Sequence, residues 1–218
     1  MTVERAADAS ALSAQAPVLE AGLGRMGLDV SAADRDKLLD YLSLLRRWNR
    51  AYNLTAIDQP AEMVARHLLD SLALVPFLVG RRLLDAGTGP GLPGVPLAIA
   101  CPDRHFVLLD SNGKKVRFLR QVRRELELDN IEPVQGRLES YRVEPGPDAI
   151  IARALAPLER LVGWAAFWLD RGVPLLAMKG DLSESERLAV PPPYNVTLDE
   201  LKVADLPERR CLATVRRQ

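Results

Sequence analysis

Asp85-Ala86-Gly87-Thr88-Gly89-Pro90-Gly91-Leu92-Pro93-Gly94 is the stretch of this 218-residue chain whose residue types and spacing most directly imply chemistry. Closely spaced glycines let a backbone turn sharply and lie against a ligand with no Cβ in the way. The apolar run Leu83–Ala86 leads into the loop, and the next such run, Phe106–Leu109, ends in Asp110. A carboxylate at that place accepts both hydroxyls of a ribose. Loop and carboxylate together describe a nucleoside-containing cofactor held at the C-terminal edge of a sheet. Two cofactors compete. Gly89-x-Gly91-x-x-Gly94 matches the dinucleotide fingerprint, whereas Gly87-x-Gly89-x-Gly91 matches the shorter loop of S-adenosylmethionine enzymes. Register favours the second. Asp85 and Ala86 finish the strand, so Gly87 opens the turn and Gly91 is its third glycine. Pro90 and Pro93 also lack the N–H donors that a pyrophosphate requires.

The elements that must position these residues fall into two parts. The Ala-rich residues 1–17 are expected to be mobile, with order beginning near Val18. Residues 18–80 read as helical. Ser31 to Arg50 carries Leu38, Tyr41, Leu42, Leu45 and Trp48 at spacings of three and four, with Ser31 placed to cap and Asp34 at the positive helix end. A second helical region runs from Ala61 through Leu74 and breaks at Pro76. Residues 81–218 alternate short apolar runs with amphipathic stretches. Leu83–Ala86, Phe106–Leu109, Ile131–Gln135, Ala149–Ala152 and Val173–Met178 are strand candidates, with helices at Lys114–Leu126 and Pro157–Leu169. That grammar predicts a parallel α/β sheet. Beyond Pro191–Pro193, Asn195–Leu198 and Cys211–Val215 read as two closing strands on an antiparallel edge.

Composition excludes several classes. With 48% hydrophobic and 27% charged residues the chain is globular, and 29 basic against 29 acidic side chains exclude a generic polycation. No membrane span or secretory signal is read, and two separated cysteines with two histidines offer no metal site. A cytoplasmic, metal-free monomer is expected.

A further set of motifs occurs in order: Arg47-Trp48-Asn49-Arg50-Ala51-Tyr52-Asn53-Leu54-Thr55, His67-Leu68-Leu69-Asp70-Ser71, the glycine loop, Leu109-Asp110-Ser111-Asn112-Gly113-Lys114-Lys115, Ala152-Arg153-Ala154 and Met178-Lys179-Gly180. With these the chain resembles the small-subunit ribosomal RNA guanine-N7 methyltransferases, the glucose-inhibited division protein B family, from about Val18 onward. The resemblance implies a class I, Rossmann-like methyltransferase: a mostly parallel seven-stranded sheet flanked by helices, with a helical N-terminal extension. It also implies S-adenosylmethionine as donor and a guanine of 16S rRNA in the small ribosomal subunit as acceptor. Cofactor contacts carry over to Gly87 and Leu92, to Leu138 and Glu139, and to Arg153; Gly89 and Asp110 join them by position. Ala86 stands where a branched aliphatic residue is usual, and the tail after Gly180 matches weakly.

The chemistry agrees with that assignment. Guanine N7 has a free lone pair, so transfer requires alignment and no general base. Neither Cys101 nor Cys211 is placed as the nucleophile that pyrimidine C5 methylation needs. Pro192-Pro193-Tyr194 lies beyond the fifth strand and reads as a linker, not as an amine-methylation loop. Arg153 is the residue expected nearest the reacting groups, on the cofactor carboxylate or guanine O6; its bland alternative is an ion pair with Asp148 or Glu159. RNA-contact candidates are Lys114, Lys115, Lys179, Arg47 and Arg50, while Arg117, Arg120 and Arg124 read as a solvated helix face. Trp48 and Trp164 are expected in the core, and His67 with Asp70 in local hydrogen bonds that fix the N-terminal part to the sheet. Three rivals remain: a methyltransferase with another acceptor, a nicotinamide oxidoreductase, and a non-enzymatic RNA-binding module.

Overall fold

The computed structural model describes residues 10–218; most of the Ala-rich start lies outside them. Helix α1 spans Ala16–Met26. The expected onset of order at Val18 falls inside it, and Leu12 ahead of it is already buried. Helix α2, Ala32–Tyr52, begins as its sequence predicts: Ser31 Oγ accepts the Asp34 N–H at 3.1 Å. Its stripe of Leu38, Tyr41, Leu42 and Leu45 is fully buried. The second helical region, α3, is not uniform. Pro60–Met63 is α-helical, Val64–Leu69 is π-helical and Asp70–Leu72 is α-helical again, with a 3₁₀ turn at Val75–Phe77. Apolar spacing does not distinguish a widened turn from an ordinary one, so the π stretch has no sequence signature.

Seven strands follow: β1 Arg82–Ala86, β2 His105–Asp110, β3 Ile131–Gln135, β4 Ala149–Arg153, β5 Leu175–Lys179, β6 Tyr194–Glu200 and β7 Cys211–Arg217. Their spatial order is β3-β2-β1-β4-β5-β7-β6. The first five are mutually parallel, while β7 pairs antiparallel with both β5 and β6. The closing strands therefore do not sit in chain order: β7 is interior and β6 forms the edge. Between them run α4 Gly94–Ala100, α5 Gly113–Glu125, α6 Leu158–Leu169 and a short α7 Glu184–Leu188.

Residues of each central strand divide between two cores, which explains why the strands read as continuous apolar runs. Leu83, Phe106, Leu108 and Ile151 face α1 to α5. Leu84, Val107, Leu109 and Ile150 face α6. Asp85, in phase with Leu83, lies on the side of the N-terminal helices and is fully buried.

At the other edge, β3 carries Pro133. Asn130 C=O and Gly136 N–H both bond to β2, so by alternation Pro133 presents its nitrogen to the open side.

Candidate active site

Strand order reverses at β1, between β2 and β4, and ligands of open α/β sheets bind beyond the strand ends at such a point. A cleft of about 280 Å³ opens there. Gly87, Asp110, Leu138 and Glu139, all expected as cofactor contacts, line it.

The glycine loop takes the conformation its composition requires. Gly87, Gly89 and Gly91 have φ of 65°, 62° and 105°. A Cβ on Gly87 would lie 2.3 Å from Leu155 Cδ1, on a side chain that itself lines the cleft. Gly89 N–H donates to Asp110 Oδ2 at 2.9 Å, tying the loop to the end of β2. Leu92 is buried beneath the loop and donates its N–H to Thr88 C=O. Asp110 also accepts the Asn112 N–H at 2.8 Å and has Lys115 Nζ at 3.6 Å. The cap of α5 is Asn112, whose side chain accepts the Lys114 N–H, so Asp110 is free of that duty.

Beneath the loop, Asp85 accepts hydrogen bonds from Thr88 Oγ1 and from Gly94 N–H at 2.8 Å, and its Oδ1 has no partner. Burial pushes its carboxyl up to about 6. Tyr41 reaches from α2 to donate to Pro90 C=O at 3.0 Å, so the N-terminal part braces the loop directly.

Arg153 is not among the residues lining the cleft. Its guanidinium turns to α3, pairing with Asp70 Oδ2 at 3.0 Å and donating to Ser71 Oγ at 3.2 Å and Arg66 C=O at 3.0 Å. Asp70 accepts Arg210 Nε through its other oxygen at 3.0 Å. The ion pair of Arg153 is with Asp70, not with Asp148 or Glu159; Asp148 instead accepts the Arg81 and Arg82 N–H groups at the start of β1. Asp70 does join the N-terminal part to the sheet, whereas His67 bonds within that part. His67 pairs with Thr55 Oγ1 at 3.0 Å, and burial holds its pKa down to about 4.

The RNA candidates separate. Lys114 is exposed at the start of α5, and Lys115 lines the cleft. Lys179 donates to Glu186 Oε1 at 2.8 Å and Ala156 C=O at 2.7 Å, and Arg47 pairs with Glu125 at 2.8 Å. Arg50 is exposed on α2. Arg117, Arg120 and Arg124 form the solvated face read from the sequence. Trp48 is half-buried and packs against the core residue Phe118, 5.6 Å between centroids. Trp164 differs from its expected burial: it is half-buried and lines the cleft, as do Ala154 and Leu155. The sequence assigns Trp164 to the core because α6 is apolar nearly all round, and gives Ala154 and Leu155, in the loop after β4, no role of their own. The one local signal is Arg160, a turn before Trp164, whose guanidinium lies 5.1 Å from the indole centroid.

Comparison with known proteins decides the family. The profile for rRNA small subunit methyltransferase G matches residues 34–208. The chain belongs to this family. Ribosomal RNA small subunit methyltransferase G of Methylococcus capsulatus is 49% identical over 199 residues, 91% of this chain and 97% of that protein. The Salmonella arizonae enzyme of the same name is 46% identical over 195 residues, 89% and 94% respectively. Among solved structures, a SAM-dependent methyltransferase from Aquifex aeolicus superposes with a TM-score of 0.54 at 14% identity, covering 75% of this chain and 97% of that one. A protein of the NADB-Rossmann superfamily from Streptococcus agalactiae gives 0.57 at 12% identity, covering 68% and 67%. These likenesses establish the class I methyltransferase fold. Membership in the family removes the nicotinamide rival and fixes S-adenosylmethionine as the cofactor. Among the described residues there is no cluster able to hold a metal and no helix long and apolar enough to cross a membrane.

Proposed function

We propose that this chain transfers the methyl group of S-adenosylmethionine to N7 of a guanine in 16S rRNA of the small ribosomal subunit. The observation that carries it is the cleft uniting the Gly87 loop with Asp110 at the strand-order reversal, in a chain of this family. The cofactor supplies an electrophilic methyl on sulfonium, and the positive charge passes to the guanine ring as N7 displaces the sulfur in line. Asp110 accepts the ribose hydroxyls, using lone pairs beyond those engaged by Gly89 and Asn112. Gly87 and Gly89 admit the ligand to the backbone, Leu92 supports the loop from below, and Leu138 and Glu139 border the cleft after β3. Arg153 acts from behind the cleft: anchored by Asp70, it fixes the end of β4, from which Ala154 and Leu155 enter the lining.

Guanine N7 carries no proton at neutral pH, so no residue is needed to remove one. His67, the buried histidine of the motif, is held neutral and faces Thr55. Alignment is the protein's main contribution. Lys115 and Arg137, which line the cleft, and Lys114, exposed beside Lys115, are the cations available there to an incoming phosphate; Lys179 and Arg47 would first have to release Glu186 and Glu125.

The test is incubation with labelled S-adenosylmethionine and small subunits from cells lacking this gene, followed by digestion to nucleosides. Label in 7-methylguanosine is expected. Label in another nucleoside would retain the enzyme and overturn N7 as acceptor. No label, with the cofactor bound, would point to a different acceptor or to a non-enzymatic RNA-binding role.

A further inference from the structure

Helix α5 carries six Lys and Arg against one acid, Glu125, in a chain balanced overall at 29 and 29, so the remainder of the chain is acidic. Glu125 is itself paired with Arg47. We infer that the outward face of α5 is a docking surface for the phosphate backbone of the 16S rRNA strand that brings the guanine to the cleft. The inference rests on the proposed acceptor, and adds the surface that holds it.

Three observations converge. First, the cations of this face lack an internal counter-charge. Lys114, Arg117, Arg120 and Arg123 are exposed and make no ion pair or side-chain hydrogen bond among the described residues, and Arg124 donates to the Gln121 amide oxygen. Arg47, Lys179 and Arg153, by contrast, all have carboxylate partners. Second, the arrangement costs the folded chain stability. Arg120 has Arg117, Arg123 and Arg124 three or four residues away, and like charges at those spacings repel. Lys114 and Lys115 occupy the first turn, where the helix end is already positive. Phosphates laid along this face relieve both penalties. Third, the face begins at the site. Lys115 and Arg137 line the cleft, and Lys114 to Arg124 covers about 15 Å of helix leading away from it. At the far end Arg120, Arg123 and Arg124 border an open hollow of about 510 Å³, and Glu127 and Asp129, which share it, close the basic run. A row of exposed cations matches a repeated anion, and the acceptor RNA supplies one at the adjoining cleft.

The probes are protein-free 16S rRNA and whole small subunits from cells lacking this gene. Arg117→Gln with Arg120→Gln removes two charges and keeps helix propensity. The control, Arg171→Gln with Arg216→Gln, removes the same charge from exposed positions at the opposite edge of the sheet, ahead of β5 and at the end of β7. Both variants should bind S-adenosylhomocysteine as the wild type does, and the α5 variant should keep or raise Tm as repulsion is relieved. Its affinity for rRNA should fall about 10- to 100-fold at about 0.1 M salt, and the slope of log affinity against log salt should flatten by about 2. Its KM for small subunits should rise by a similar factor with kcat kept. Affinity for rRNA within about twofold of wild type, an unchanged salt slope, or an equal loss in the control overturns the surface. So does a loss confined to whole subunits, which would set a ribosomal protein on this face. A wild type that binds S-adenosylhomocysteine yet puts no label into small-subunit RNA overturns the acceptor reading, and the surface with it.

Discussion

Replacing Asp70 by alanine should destabilise the protein far more than losing any exposed ion pair. The Asp70 side chain is 5% exposed, and the two guanidiniums it bridges, Arg153 and Arg210, are 19% and 20% exposed. Removing the carboxylate leaves two neighbouring, mostly buried cations with no counter-charge between them. Breaking a buried pair by removing one partner costs about 3–5 kcal/mol. The arginines keep Ser71 Oγ and the carbonyls of Arg66 and Arg209, which argues for the lower end, about 3 kcal/mol. For a chain of this size that lowers Tm by roughly 6–12 °C. The control is Glu20→Ala, which breaks the pair with Arg35; Glu20 is 65% exposed, so the loss is under about 1 kcal/mol. Urea and thermal unfolding of both variants at low and high salt provide the assay. The control's effect should shrink with salt, while that of Asp70→Ala should persist. A loss below about 1 kcal/mol, or equal screening of both, would refute the assignment of Asp70 as the buried tie between the N-terminal helices and the sheet.

Other outcomes follow from the cleft and its support. Asp110→Asn removes a charged acceptor for the ribose and should weaken S-adenosylhomocysteine binding about 10- to 100-fold by calorimetry, beside a stability loss of about 1–3 kcal/mol, because the Gly89 or the Asn112 N–H then faces an amide NH2. Gly87→Ala places a Cβ at φ 65° and 2.3 Å from Leu155 Cδ1. Leucine can yield, but only by shifting in the cleft lining, so cofactor affinity should fall at least about 10-fold against a stability loss of about 1–2 kcal/mol. Burial raises the Asp85 carboxyl from its ordinary value to about 6, so the folded state holds that proton more tightly than the unfolded chain. Its contribution to stability is full below about pH 4 and is lost as pH rises through about 6. Asp85→Asn should therefore remove a fall in stability between those values; identical pH profiles for the two proteins in urea unfolding would refute it.

The parts of the site legible in the sequence were local ones. Gly87, Gly89 and Asp110 lie on a strand–turn–helix unit and the strand that follows, where spacing alone sets position. The ends of β1, β2, β3 and β4 fell within a residue of their expected places for the same reason. Arg153 was recognisable as important, but its partner was not, since Ser71 and Asp70 stand more than eighty residues away and no period links them. The π turn at Val64–Leu69 was hidden because it preserves an apolar face while redirecting the backbone that presents Asp70. Trp164 was misread because hydrophobicity predicts burial, and a ligand cleft supplies partial burial of the same kind. The interior place of β7 was equally silent: two closing strands have the same local pattern whichever lies outermost.

The proline in β3 has a consequence for how this protein behaves in a crowded solution. An outer strand offers unpaired donors and acceptors to any other chain, which is how sheets join edge to edge into aggregates. With its nitrogen facing outward, Pro133 deletes a donor from the open row without costing β2 any bond. The opposite edge is protected differently, with Pro191–Pro193 entering β6 and Asp199 and Glu200 closing it beside the exposed Leu198. Restoring a donor with Pro133→Val should leave the fold intact and make the protein prone to self-association, so that the cost of losing this residue emerges between molecules and not within one.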